Sequence, residues 1–158
     1  MIIVRNILLI FVALLLQASW IDTLAIFGIV PDMVIIVLVF IGITRGQIEA
    51  TALGFFSGLL IDIYNPGTGL GINALANSLV GFGVGYSRVG IVSEDMQVQA
   101  AVLFAATVLH DIIFFVFSLD PIKILSIGLG TGLYTTAIGL ALSFALTRFV
   151  SLRIEPHA

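Results

Sequence analysis

Six apolar stretches, parted by short polar or glycine- and proline-rich breaks, run through the chain. Two of them carry a small or polar residue at every fourth position. Between Arg45 and Arg88 these rows are Ala50, Gly54, Gly58 and Asp62, then Asn73, Asn77, Gly81 and Gly85. Side chains four apart share one face of a helix, so each stretch is predicted to be a helix with a smooth groove that turns polar toward one end. The break between them, Asn65-Pro66-Gly67-Thr68-Gly69-Leu70-Gly71, holds proline and glycines through which no helix continues. The pattern predicts a hairpin packed along Gly54, Gly58, Gly81 and Gly85, since glycine stripes let helix backbones approach closely in lipid.

The same reading predicts helices over about 4–21, 31–44, 47–63, 71–86, 97–119 and 124–150. Arg5 followed by Ile7 to Leu16 is the pattern of a signal peptide, with Gln17-Ala18-Ser19 as a poor cleavage site. Because the run extends to Ile21 and carries Trp20 at an interfacial position, a retained anchor helix is the favoured reading. In the second stretch Pro31-Asp32 interrupts Leu24 to Ile43, leaving Leu24 and Pro31 as alternative starts. Proline suits a first helical turn and aspartate meets the positive end of the dipole, which favours Pro31. Leu24 to Val30 then lie at the interface or re-enter. A helix from there to Thr44 covers about 21 Å against a bilayer core of about 30 Å, so Arg45 is expected to snorkel or the membrane to thin. The fifth stretch is the longest, with His110-Asp111 well inside and Asp120-Pro121 at its end. The sixth is studded with Gly128, Gly130, Gly132, Thr136, Gly139 and Ser143, and a break near Gly130 stays open.

Composition turns these helices into spans. The residues AVILMFWYC make up 60% and charged residues 9%, where a soluble domain carries about 25% charged residues. The expected fold is therefore all-α and integral to the membrane: one transmembrane domain over 1–158, a compact bundle of six helices in contact with membrane lipid. With the N-terminus in the cytoplasm, six crossings put Arg5, Arg45, Arg88, Arg148 and Arg153 on the cytoplasmic side and only Lys123 outside, as the positive-inside rule asks. Five crossings scatter the arginines. A net charge of -3 over so few ionisable groups says little about partners, and no basic patch suggests nucleic acid. The absence of cysteine excludes disulfides and thiolate chemistry.

The polar residues left over carry what chemistry there is. An aspartate near mid-membrane costs about 2.5 to 3.5 kcal/mol on insertion scales and should face the bundle interior with a partner. Counted from the helix ends, His110 and Asp111 lie roughly 12 to 14 Å and Asn77 about 9 Å below the outer surface. Asp32, Asp62 and Asn73 lie nearer to it. These six form a candidate outward-facing polar cluster. It is either a pocket or relay, or a set of helix-to-helix hydrogen bonds that fix register. The stretch Gly67 to Gly71 lacks the strand and lysine of a phosphate loop and reads as a tight turn. Gly54-Phe55-Phe56-Ser57-Gly58 is one residue longer than the motif of intramembrane serine proteases, and a lone intramembrane histidine makes a poor metal site. No catalytic residue, cofactor or metal is expected.

An ordered set of motifs resembles a known family. Pro31-Asp32 opens a hydrophobic helix, followed by Arg45-Gly46, Glu49, Gly54-Phe55 and Gly58-Leu59-Leu60-Ile61-Asp62. Then come Gly69-Leu70-Gly71-Ile72-Asn73-Ala74-Leu75, Gly81 and the exit Gly85-Tyr86-Ser87-Arg88. Over about the first 90 residues this is similar to the MreD family of rod shape-determining membrane proteins. In the exit the family pattern has its aromatic earlier, a place that Phe82 takes here. The second half resembles the family in hydropathy and in the polar pair on the fifth helix. The resemblance implies a non-enzymatic inner-membrane component of the bacterial cell-elongation machinery that binds MreC. Through MreC it would connect to a class B penicillin-binding protein with its glycosyltransferase partner, and to MreB filaments. It also implies the six-helix fold of the substrate-binding subunits of energy-coupling-factor vitamin transporters.

Three classes of function follow. For an elongation scaffold, a partner helix is expected on an exposed small-residue face: the uniformly apolar first helix, or by preference Gly128, Gly132, Thr136 and Gly139 on the sixth. For a vitamin-binding transporter subunit, the resemblance asks for an Ala-x-x-x-Ala stripe on the first helix, where only Ala13 and Ala18 stand. A proton pathway through His110 and Asp111 needs carboxylates in the inner half, and Glu49, Glu94 and Asp95 sit at its boundary instead.

Overall fold

The computed structural model describes residues 2–26, 29–65, 69–88, 95–119 and 127–149. They form six helices: α1 (Ile2–Leu24), α2 (Met33–Arg45), α3 (Gln47–Tyr64), α4 (Ile72–Ser87), α5 (Met96–Phe117) and α6 (Leu129–Phe149). Among the described residues there is no strand beyond one isolated bridge, Ile26 to Ile29, after α1. The expected loop residues Pro66 to Thr68, the Asp120-Pro121 stop, Lys123, Glu94 and Arg153 lie outside the described residues.

The shortest helix is the pillar of the bundle. α2 has 13 residues and is about 20 Å long, and it packs against α1, α3, α4, α5 and α6. A helix apolar on every side is a buried one, and Val34, Ile35, Leu38 and Ile41 are fully buried. Ile35, Leu38 and Val39 meet Val80 and Val84 of α4 and Leu103 and Ala106 of α5. Its other side, Val34 and Ile41, meets Ile10 and Ala13 of α1 and Ala50 of α3. The helix starts two residues later than Pro31. Asp32 has extended backbone (φ -92°, ψ 97°) and its side chain accepts from Ile35 N, which makes it the cap rather than a helical residue. At the far end one residue, Gly46 at φ 92°, both ends α2 and starts α3. Only glycine takes that conformation without strain.

The hairpin α3–α4 is in backbone contact. A methyl group at Gly54 would fall inside 3.0 Å of the Asn77 carbonyl, and one at Gly58 inside 3.0 Å of Asn73 and Ala74 backbone atoms. From the facing helix, Gly81 lies on the Ala50 carbonyl and Gly85 on the Gln47 backbone, equally close. The two rows expected from the sequence thus interlock, glycine on peptide, over the whole length of the hairpin.

The sixth helix corrects an expectation. Gly132 lies against Phe104 and Val108, and Gly139 against Leu103 and Ile36. Gly128 lies against Asp111, and the Thr136 hydroxyl donates to Gly132 O at 2.7 Å. The stripe expected to receive a partner is therefore covered by α5 and α2 of the same chain, because small residues invite whichever helix is nearest. α6 is unbroken from Leu129 onward, with a wide π-type turn at 127–128 just before it. By length and composition, Met96–Phe117 is apolar and long enough to cross a membrane, and Ile3–Ser19 and Met33–Arg45 are shorter apolar helices.

Gly58→Ala is expected to lower the melting midpoint of the detergent-purified protein, by about 1–3 kcal/mol of overpacking or more. Gly83→Ala on the same hairpin meets nothing within 4 Å and should be neutral or gain up to about 1 kcal/mol from helix propensity. Equal melting of the two variants would contradict the backbone contact.

Candidate functional site

Asp62 sits in the last turn of α3, 1% exposed, and its carboxylate gathers four N–H groups. Oδ2 accepts from Gly71 N at 2.9 Å and Ala74 N at 3.1 Å. Oδ1 accepts from Asn73 N at 3.1 Å and Asn73 Nδ2 at 2.8 Å. The first N–H groups of any helix lack partners within it, and Gly71, at φ 97°, has no side chain to cap α4. Asp62 supplies that cap from the neighbouring helix, at the positive end of the α4 dipole, through charge-assisted bonds. Of the expected cluster, Asp62 and Asn73 are thereby brought into direct contact.

Asp32 caps α2 in the same sense, accepting from Ile35 N at 2.9 Å. Its own backbone N donates to Thr135 Oγ1 of α6 at 3.0 Å. Thr135 is fully buried, and no feature of the threonine- and glycine-rich sixth stretch singled it out. His110 and Asp111 are neighbours on α5 with Nδ1 and Oδ1 3.1 Å apart, and the imidazole stacks on Phe114. The imidazole lies within electrostatic reach of Asp32, Asp111 and Asp62. Four of the six residues are therefore gathered from α2, α3 and α5 at one end of the bundle.

Hydrogen bonding divides the six. Asp32, Asp62 and Asn73 are bonded into helix ends. Among the described residues, His110 Nε2, Asp111 Oδ2 and both side-chain polar atoms of Asn77 are buried with no hydrogen-bond partner. A buried polar atom without a partner costs about 1–3 kcal/mol, so these three side chains are where a polar ligand or bridging water would find bonds to make. Among the described residues no group of three or more His, Asp or Glu is placed to hold a metal ion. The Ser57 hydroxyl donates to Gly54 O of its own helix.

The opposite end holds a second polar group that the sequence reading did not assemble. Asn6 Nδ2 donates to Glu49 Oε1 at 2.6 Å, and Arg45 Nε reaches Glu49 Oε2 at 3.2 Å. Arg5 donates to Asn6 Oδ1 at 3.5 Å, and the Arg88 guanidinium lies over Gly46. The signal was present: Asn6 is a lone amide in an apolar run, and a buried amide needs a partner. Gln17, the polar residue of the outer half of α1, accepts from Val34 N at 3.3 Å.

The described part of the chain is all-helical, with Asp32 and Asp62 bonded into helix ends and Arg5, Arg45 and Arg88 near one another at the opposite end. With only 9% charged residues the chain has the build of a membrane protein. It belongs to the MreD family: the family model described as rod shape-determining protein MreD matches residues 1–151. The match takes in the second half of the chain, where the sequence motifs were sparse. Membership makes this a rod-shape-determining membrane protein. No curated protein and no solved structure matches the chain.

Asp62→Asn should lower the melting midpoint by the equivalent of about 2 kcal/mol or more, since an amide turns a donor toward N–H groups that need an acceptor. Asn73→Ala, which loses one side-chain bond, should cost about 1 kcal/mol. In a cysteine-free chain, Asn77→Cys and Asp111→Cys should resist an impermeant maleimide that labels Leu70→Cys, a position 75% exposed. Rapid labelling at 77 or 111 would show a water-filled pocket there.

Proposed function

We propose that this chain is a multi-pass inner-membrane scaffold of the cell-elongation machinery that holds a single-pass, coiled-coil partner of the MreC type. The observation that carries the reading is the family match along 151 residues. In this reading all six helices cross the membrane with both termini cytoplasmic, as the arginines favour. Contacts with a class B penicillin-binding protein, its glycosyltransferase partner and MreB run through that partner. The protein binds and does not catalyse.

The docking face follows by elimination. Gly54, Gly58, Gly81, Gly85, Gly132 and Gly139 are covered within the bundle, whereas α1 packs mainly on α2 and α3 and turns Val4, Leu8, Phe11 and Leu15 outward. That spacing makes a continuous stripe along one helix face, and a partner helix laid on it would gain van der Waals packing that flexible lipid tails give less well.

A second reading, a small-ligand subunit with the build of the vitamin-transporter binding proteins, is favoured by the unpartnered atoms of Asn77, His110 and Asp111. Against it stand their burial and the missing alanine stripe on α1.

The test is capture of co-expressed MreC by the tagged full chain. Wild type should capture it, and Leu8→Trp should reduce capture about tenfold, a loss of about 1.4 kcal/mol. Leu133→Trp, on the outward side of α6, should leave it unchanged. No capture by the wild type would overturn the function; capture lost only with Leu133→Trp would overturn the α1 face alone.

A further inference from the structure

Two rows run along α1, one turned into the bundle and one turned out. The inner row is Asn6, Ile10, Ala13 and Gln17, and the bundle takes it up at both ends. Asn6 Nδ2 donates to Glu49 Oε1 of α3 at 2.6 Å, and Gln17 Oε1 accepts from Val34 N of α2 at 3.3 Å. Between them Ile10 and Ala13 are buried with Val34, Ile41 and Ala50. A polar head that finds its partner on the next helix, followed by apolar contact, is how this chain seats α1.

The outer row repeats that order. Arg5, Leu8, Val12 and Leu16 are all exposed, and spacings of three and four keep them on one face over about 16 Å. Arg5 heads this row, and its charge is unanswered. Its hydrogen bond to Asn6 Oδ1 is long, at 3.5 Å, and goes to a neutral amide. Glu49 gives one oxygen to Asn6 and the other to Arg45 Nε, and Asp95 caps α5 by accepting from Gln97 N at 2.8 Å. Among the described residues no carboxylate pairs with Arg5. A guanidinium offers five donors in a rigid fork that matches a carboxylate. Lipid headgroups serve a lone arginine at a membrane surface. One that heads an apolar row stands where a contact between helices puts its charge, at the end of the seam.

We propose that this outer row receives a single membrane-crossing helix bearing an acidic residue at the arginine end of the bundle, its carboxylate paired with the Arg5 guanidinium. The inference rests on the α1 face proposed above and adds the charge that the partner has to carry. The apolar side chains supply the contact, and the arginine supplies the choice and the register: a lysine at the same place would meet a like charge. The Asn6–Glu49 and Gln17–Val34 bonds hold α1 from behind, so the row is presented on a fixed helix.

The test is the capture assay above, run with pairs of MreC variants that carry glutamate or lysine in the turn of its membrane helix nearest the cytoplasm, each position of that turn being tried. At the position facing α1, wild type should capture the glutamate form about fivefold over the lysine form, the upper end of what an exposed ion pair gives. Arg5→Gln should bring that ratio to about one, and Arg5→Glu should invert it. Both are exposed changes, and unshifted melting midpoints show that the variants fold. Arg88→Glu, which alters another exposed arginine, should leave the ratio as it is. Equal capture at every position, or an unchanged ratio in Arg5→Glu, overturns the proposal, while capture of MreC itself keeps the function above standing. A ratio abolished by Arg88→Glu and not by Arg5→Glu overturns it as well. So does a ratio that excess phosphatidylglycerol brings to one, which would give Arg5 to a lipid headgroup. Capture of no form by the wild type overturns both readings.

Discussion

Four missing β-carbons set the geometry of this protein. Because Gly54, Gly58, Gly81 and Gly85 present only backbone to the facing helix, α3 and α4 approach more closely than side chains would allow. The close approach carries Asp62 to the first turn of α4, where it takes over the helix cap. Neither feature works without the other. A wider hairpin would strand the carboxylate away from the N–H groups it accepts from, leaving a buried charge unpaired, which is among the costliest faults a fold can carry. The cap in turn fixes the axial register that sets each glycine opposite a peptide.

From this contact the rest of the bundle follows in layers. α2 fits beside the hairpin because it is short and apolar all round, and because Gly46 lets the chain reverse in a single residue. Its start is fixed from two sides, by the Asp32 side chain that caps it and by Thr135 from α6. α1 and α6 are added on the flanks, each touching α2. Each is also tied by a polar pair: Asn6 to Glu49 for α1, and Ser143 to Gln99 for α6. In an apolar solvent such pairs set position more than they add stability, since hydrogen bonds between membrane helices are individually modest.

The fourfold spacing of small residues made the hairpin legible, glycine by glycine, because backbone contact depends only on which positions lack a side chain. Asp62 and Asn73 were legible together because both stand at the ends of those rows. The small-residue stripe of α6 misled for the converse reason. Spacing shows that a face admits close approach but does not say whose helix arrives, and here α5 and α2 arrive. The Asn6–Glu49 and Asp32–Thr135 contacts span 43 and 103 residues. No local period encodes pairs of that kind, so they became visible only once the helices were placed. The start of α2 was misjudged by two residues because proline and aspartate both favour a helix entry, and only the backbone angles tell a cap from a first turn.

The two ends of the bundle differ in a way that bears on what such a protein can do. At one end the acids are buried, and two of them are bonded to backbone N–H groups. At the other, Arg5 and Arg88 are exposed with donors to offer. A hairpin whose contact is peptide on glycine has no side chain at that contact to change rotamer, so this seam itself offers no hinge. Transport by alternating access requires one part of a protein to rock against another around its site, and a seam of this kind resists that motion. A body that keeps its shape while presenting an apolar stripe on one flank and cations at one face suits the scaffold proposed above.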